Sequence, residues 1–409
     1  MPSTLPPGEP APADGSLPAA ARAELAARPL SLYLHVPFCT TRCGYCDFNT
    51  YTAAELGPHP GAGRDGYVEV AVAELEQARR VLGDDVPEVS TIFVGGGTPT
   101  LLPAGDLGRF VARARTLFGL TSDVEVTTES NPDSVDADGL ARLADDGFTR
   151  VSFGMQSVTP HVLAVLDRHH TPGRPQQAVA EATAAGIAHT SLDLIYGTPG
   201  ESLADWAASL DAAIAAGPDH LSAYALIVED GTRLAVRIRR GELAMTDDDD
   251  LADKYLLAEQ QLTAAGFDAY ELSNWATGPT ARCRHNLAYW RGDHWWGIGP
   301  GAHSHVGGVR WWNVKHPAAY AARIAAGVSP AHARELLSAA DRVAERILLE
   351  IRLADGLDLA VVSARARRRV PNLVARGLAT VVGHGEHEHL VLTLDGRLLA
   401  DALVRDLVD

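Results

Sequence analysis

Apolar residues in this chain follow two periods, and the switch between them recurs. Leu30 to Val36 is an apolar run of strand length. From Gly66 to Leu82, the residues Val68, Val72, Leu75 and Ala78 fall on one helical face. Thr91 to Val94 reads as strand and ends in Gly95-Gly96-Gly97-Thr98-Pro99-Thr100. The alternation then continues. Helices are expected at Leu107 to Phe118, Asp136 to Asp146, Pro175 to Ala185 and Leu203 to Ala216. Strands are expected at Val124 to Thr128, Arg150 to Phe153, Thr190 to Ile195 and Leu221 to Ala225. Some six strand–helix units predict an α/β fold with a parallel sheet, curled into a complete or partial barrel. In such barrels the site lies at the C-terminal ends of the strands. Polar features collect at those ends: the segment after Val36, the glycine loop, Glu129, Gln156 and Asp193.

The pattern changes after about residue 240, which divides the chain into four stretches. Residues 1–28 carry Pro, Ala and Gly, three acids and no apolar core, so a disordered tail is expected. They lack the basic start and apolar centre of a signal peptide. Residues 29–240 hold the alternating barrel. Residues 241–335 form a connecting region, opened by Asp247 to Asp250 as a solvated helix start and rich in Trp, His and Gly over 270–316. Residues 336–409 begin with an amphipathic helix, Ala339 to Leu353. They end in helix, hairpin turning near Asp395-Gly396, and helix, a mainly helical, winged-helix-like lobe. No internal repeat is present.

Composition narrows the function classes. Of 409 residues, 46% are hydrophobic and 21% charged, as in ordinary globular proteins. The formal net charge is −17, which opposes binding to polyphosphate, so no nucleic-acid partner is expected. No apolar run reaches the roughly 20 residues that span a bilayer.

Of the four cysteines, Cys39, Cys43 and Cys46 share eight residues. Three thiolates leave a tetrahedral zinc site one ligand short, and an odd number does not make a disulfide framework. They suit a [4Fe–4S] cluster in which each cysteine takes one iron and the fourth iron stays open. Clustered thiols in a chain without an export signal point to the reducing cytoplasm.

Cys39-x3-Cys43-x2-Cys46, placed after a strand and with Tyr45 before the last cysteine, resembles the cluster loop of the radical S-adenosylmethionine (SAM) superfamily. Gly95-Gly96-Gly97-Thr98-Pro99 resembles that superfamily's second motif, where glycines let the backbone approach the ligand's amino group. Several further segments together resemble the oxygen-independent coproporphyrinogen III oxidase group. They are Tyr33-x-His35-x-Pro37-Phe38-Cys39, Glu129-Ser-Asn-Pro132, Phe153-Gly-Met-Gln156-Ser157, Arg168 and Asp193-Leu-Ile-Tyr-Gly-Thr-Pro199. The resemblance runs from about residue 30 to the C-terminus. It implies a partial (β/α)6-type radical SAM barrel, with SAM surrounded by Tyr33, Tyr45, Gly96, Gly97, Thr98, Glu129, Gln156, Arg168, Asp193 and, more weakly, Ala225.

One position departs from the oxidases. They carry a fourth cysteine two residues after the third, where this chain has Phe48. The departure moves the resemblance toward a sister family, the HemW haem chaperones. Cys283-Arg-His285-Asn286-Leu-Ala-Tyr289-Trp290 contains His-Asn-x-x-Tyr-Trp, which is similar to that family's signature. The resemblance implies haem near His285, Asn286, Tyr289 and Trp290, with histidine able to ligate iron and the aromatics able to cover a porphyrin face. Cys283, His294, His303 and His305 lie in or near the same stretch and are not ranked. His169-His170 is read as a loop without a role.

The function expected is therefore a cytoplasmic haem chaperone holding a [4Fe–4S] cluster, SAM and haem. It would pass haem to an acceptor apoprotein, membrane-associated or not, as a monomer or homodimer. No residue is assigned a catalytic role. The alternative is a porphyrinogen-decarboxylating oxidase of haem biosynthesis, against which Phe48 argues.

Overall fold

A computed structural model describes residues 7–57, 61, 63–385 and 387–408. The strands, in chain order, are β1 (Glu9–Pro10), β2 (Leu30–Val36), β3 (Val89–Gly96), β4 (Leu120–Ser130), β5 (Arg150–Gln156), β6 (His189–Tyr196) and β7 (His220–Ala225). They continue with β8 (Asp268–Ala269), β9 (Asn274–Ala276), β10 (His294–Ile298), β11 (His303–Val306), β12 (Val309–Asn313) and β13 (Ala331–Leu336). The last three are β14 (Leu357–Asp358), β15 (Ala379–Val382) and β16 (His389–Leu392). The first thirteen form one sheet, in the order β1-β13-β12-β11-β10-β2-β3-β4-β5-β6-β7-β9-β8.

The six strands β2–β7 run parallel and in sequence order, as the alternating pattern requires. Helices Tyr67–Leu82, Asp106–Phe118, Ala137–Asp145, Arg174–Ala184 and Leu203–Ala215 make the crossovers. Their apolar faces and the outward side chains of the strands close a single core that includes Leu32, Leu34, Leu75, Ile92, Phe110, Val126, Val151, Leu192 and Leu210. Start signals are local: Ser202 and Asp205 form a capping box at the helix Leu203–Ala215.

Three expectations are corrected. The stretch 7–28 is ordered: β1 pairs with β13, the helix Ala19–Ala23 follows, and Ala21 and Leu25 are buried. A Pro/Ala-rich composition can still dock when a neighbouring sheet edge supplies backbone partners. Residues 1–6 of the expected tail lie outside the described residues. Nor does the stretch 241–335 merely connect. Strand β10 adds in parallel to β2, β11–β13 extend that edge, and β8 and β9 close the other beside β7. In the C-terminal lobe, a small core built on Ile347, Ile351, Leu373, Leu390 and Leu403 backs the sheet β14-β16-β15. The β15–β16 turn passes through Gly383 and Gly385, not Asp395-Gly396, which lies in the helix Leu394–Leu398 capped by Thr393. Among the described residues, no helix is long and apolar enough to cross a membrane.

One buried carboxylate ties the added strands to the barrel. Glu74, on the helix Tyr67–Leu82, accepts hydrogen bonds from the Gly299 amide (2.8 Å), the Asn313 amide nitrogen (2.8 Å) and the Tyr320 hydroxyl (2.5 Å). Burial outweighs these donors and pushes its carboxyl up to about 7. A raised carboxyl holds its proton more tightly folded than unfolded. Its contribution is therefore full below about pH 4.5 and is lost as pH rises through about 7. Thermal melts from pH 5 to 8 check this. Relative to the Glu74→Gln variant, the wild type should lose stability as pH rises; a pH-independent difference would contradict it. Glu74→Ala, which strands three donors, should cost about 3 kcal/mol or more below about pH 4.5 and less as pH rises through about 7.

Candidate cofactor site

Strands buried on both faces are usually apolar throughout. In β4–β7 most inward-pointing residues are instead polar. Register sets these residues in rows. Phe93, Thr127 and Arg150 stand side by side across β3–β5; Glu129, Ser152, Ser191 and His220 across β4–β7; Gly154, Asp193 and Ser222 across β5–β7. All of them line one cavity of about 760 Å³. Toward the strand ends the same cavity reaches Cys39, Cys43, Tyr45, Cys46, Phe48, Gly96, Gly97, Thr98, Gln156, Arg168 and Ala225.

The cysteine loop leaves β2 and is anchored largely by main-chain bonds. Cys39 N donates to Tyr51 O (3.0 Å), Tyr51 N to Pro37 O (2.7 Å) and Gly44 N to Leu166 O (2.9 Å). A Cβ on Gly44 would lie 2.5 Å from the Asp167 carboxylate, which would have to shift to admit it. The glycine loop closes on the same segment: Gly97 N donates to Val36 O (2.8 Å) and Thr98 N to Phe38 O (2.7 Å). A Cβ at Gly97 would sit 2.5 Å from the Phe38 carbonyl oxygen. The three cysteines are half-buried free thiols. Burial, with the neighbouring thiols, pushes Cys39 up to about 11 and also raises Cys46. Metal must therefore displace protons to bind there.

The polar groups around the loop hold one another in place. Glu129 accepts from Gly96 N (2.9 Å), and burial pushes its carboxyl up to about 7. Asp193 accepts from Ser152 Oγ (2.9 Å to each oxygen), and burial raises its carboxyl too. Arg168 donates to Gly154 O (2.8 Å), with its other terminal nitrogen 3.9 Å from Cys43 Sγ. Gln156 ends β5 with φ at 58°, a left-handed conformation costing an L residue on the order of 1 kcal/mol. Tyr33 bonds His35 Nδ1 (2.9 Å), and His35 Nε2 bonds Asn49 O (2.9 Å), bracing β2 against the end of the cysteine loop.

The floor of the cavity is a short helix, Arg284–Trp290. Its N-terminus sits on Glu125, a buried β4 carboxylate that accepts from the amides of Arg284 and His285 (3.0 Å each) and from the Cys283 thiol (3.6 Å). Arg150 Nε lies 3.5 Å from Glu125, and Arg150 Nη2 donates to Ala281 O (2.7 Å). Asn286 and Cys283 face the cavity. His285 does not. It is 1% exposed, stacks on Phe93 at 5.1 Å, and has both nitrogens engaged, Nδ1 with Thr91 Oγ1 (2.7 Å) and Nε2 with Tyr289 OH (2.9 Å). Burial lowers its pKa to about 3. Tyr289 packs edge-on to Trp295, and Trp290 joins the cluster of Tyr270, Leu287 and Leu353. The four residues expected around haem are thus brought together by one helical turn. Against that expectation, His285 offers iron no free nitrogen in this conformation. Cys283, whose thiol burial holds well above its usual range, is likewise a packed neutral group.

The residues present fit a cluster with SAM. Among the described residues, no three His, Cys, Asp or Glu converge on a single metal ion. Cluster thiolates do not need to, since each binds a different iron. Buried polar atoms on the cavity wall also lack any protein partner: Gln156 Oε1, Arg168 Nε and Thr127 Oγ1. Such groups call for a ligand or water. The sequence reading missed Thr127, Arg150, Ser152, Ser191 and Ser222. Their signal was polar residues recurring at alternate positions of otherwise apolar strands.

Comparison with known proteins agrees with this geometry. Residues 33–213 match the radical SAM superfamily. The haem chaperone HemW of Mycobacterium tuberculosis is 53% identical over 386 residues, 94% of this chain and 96% of the relative. That of Escherichia coli is 38% identical over 278 residues, 68% of this chain and 70% of the relative. Among solved structures, coproporphyrinogen III oxidase HemN from Escherichia coli, described as a radical SAM enzyme, aligns with a TM-score of 0.79. It covers 95% of this chain and 92% of that one at 23% identity, a likeness of fold. Shared length and identity across nearly the whole chain place this protein in the HemW haem chaperone family of the radical SAM superfamily.

Proposed function

We propose that this chain is a cytoplasmic haem chaperone that binds haem and passes it to an acceptor apoprotein. Cys39, Cys43 and Cys46 hold a [4Fe–4S] cluster, which supplies an iron open to the amino and carboxylate groups of SAM. The observation carrying this reading is the near full-length match to a relative named as a haem chaperone. It is joined by Phe48, 45% exposed, in place of a fourth cysteine at the cavity mouth.

The chain's own groups divide the work of holding SAM. Arg168 faces a carboxylate, Glu129 and Asp193 accept from amino and hydroxyl groups, and the backbone at Gly96 and Gly97 approaches closely because no Cβ intervenes. Tyr45, Thr98, Gln156 and Ala225 complete the wall, while Tyr33, which does not line the cavity, supports it through His35. Haem ligation by His285 would require the helix Arg284–Trp290 to leave Glu125 and Thr91. The acceptor, docked at a membrane or not, and a monomeric or dimeric state belong to the same proposal.

Changing any one of Cys39, Cys43 or Cys46 to Ala should abolish a four-iron species on anaerobic reconstitution, read by iron and sulfide content. Four irons retained in all three variants would refute the assignment. Purified wild type should take up stoichiometric haem, followed by its Soret band. Incubation without oxygen with coproporphyrinogen III, dithionite and SAM should yield no decarboxylated product. Its formation would favour the oxidase.

A further inference from the structure

The mouth of the cavity carries features that the cluster and SAM do not use. Phe48, Tyr224 and Ile227 all line it and are 45%, 42% and 69% exposed, large apolar side chains left in water. They belong to one rim. Leu234 N donates to Gly44 O (2.9 Å), and the Arg233 guanidinium donates to Arg42 O, so the segment after β7 is fastened to the cysteine loop. Arg42 lies beside Phe48, with Nη2 3.4 Å from the Phe48 carbonyl. Its ion pair with Glu55, at 3.5 Å and about 40% exposed on each side, is of the weak surface kind.

His169 lines the same mouth, exposed, and among the described residues no protein group bonds its ring. Its neighbour His170 also has an unpartnered Nδ1 but is partly buried and does not line the mouth; the remaining histidines near the cavity are bonded. His220 is tied to Ser191 Oγ (2.7 Å) and Tyr270 OH (2.8 Å). His35 and His285 each have both nitrogens engaged. A free imidazole, an apolar rim and a cation form a chemically consistent set. The ring lone pair can ligate iron, apolar side chains can cover a macrocycle face, and a guanidinium can pair with a carboxylate.

We propose that haem seats across the mouth of the cavity, with His169 as an axial ligand, Phe48 and Ile227 against the porphyrin face, and Arg42 beside a propionate. The seat rests on the haem-chaperone reading. It needs no displacement of the helix Arg284–Trp290. Coordination only donates a lone pair of neutral imidazole to iron; no bond breaks and no electron moves.

Haem titration of the cluster- and SAM-loaded protein tests it, since the three thiols are then occupied. His169→Gly should bind haem about tenfold or more weakly, with a shifted Soret band that added imidazole restores. Phe48→Ser combined with Ile227→Ser should weaken binding to a similar degree at unchanged iron content. If wild type binds haem and His169→Gly keeps its Soret band and affinity, or imidazole restores nothing, the seat is overturned and the chaperone reading stands. The seat is equally overturned if the rim double variant binds as wild type does. If wild type binds no haem at all, the chaperone reading itself fails, and the seat with it.

Discussion

A polar inner face on a parallel sheet is the constraint on which this structure depends. Six adjacent parallel strands normally bury both faces. Here the outward face packs under helices, while the inward face carries Glu125, Thr127, Glu129, Arg150, Ser152, Asp193, His220 and Ser222. Buried polar groups need partners, or each costs on the order of 1–3 kcal/mol. The protein meets that demand in two ways. At the bottom, the helix Arg284–Trp290 brings its free amides and the preceding carbonyls to Glu125 and Arg150. At the top, the groups are left facing a cavity, where a bound ligand can complete them.

The cofactor loops follow from the same economy of contacts. The cysteine and glycine loops are joined by main-chain bonds from Gly97 and Thr98 to Val36 and Phe38, and His35 and Arg233 add side-chain bonds to the cysteine loop. Burial raises the pKa of both Glu129 and Asp193, which eases the repulsion between two carboxylates in one chamber. The same burial raises the thiols of Cys39 and Cys46. Low dielectric strengthens any charge pairing once ligands arrive.

The floor and the mouth of this chamber have opposite characters. On the floor, His285, Tyr289, Thr91 and Glu125 each have partners within the protein. The mouth is unsaturated, with exposed Phe48 and Ile227 and the unbonded ring of His169. A motif containing histidine and aromatics near a cofactor chamber can thus be a structural plug, while a histidine with no motif faces the opening. Local sequence does not distinguish these roles, because each depends on which strand the residue meets.

The alternation of periods was enough to place β2–β7 and their helices, since strand and helix periodicity is local. Three cysteines in eight residues pointed to a cluster loop by their spacing, whereas the glycine triplet pointed to a ligand cradle only through its resemblance to a family motif. Long-range pairing was not legible. The stretch 7–28 became ordered only through β13, more than 300 residues later, and 241–335 became sheet because β10 adds beside β2. The state of His285 was equally hidden. Thr91, 194 positions away, decides whether its nitrogen is free. Chain composition and period determine which elements form and which chemistry is carried; burial and cross-strand register, which arise only on folding, decide which of those groups remain open to a ligand.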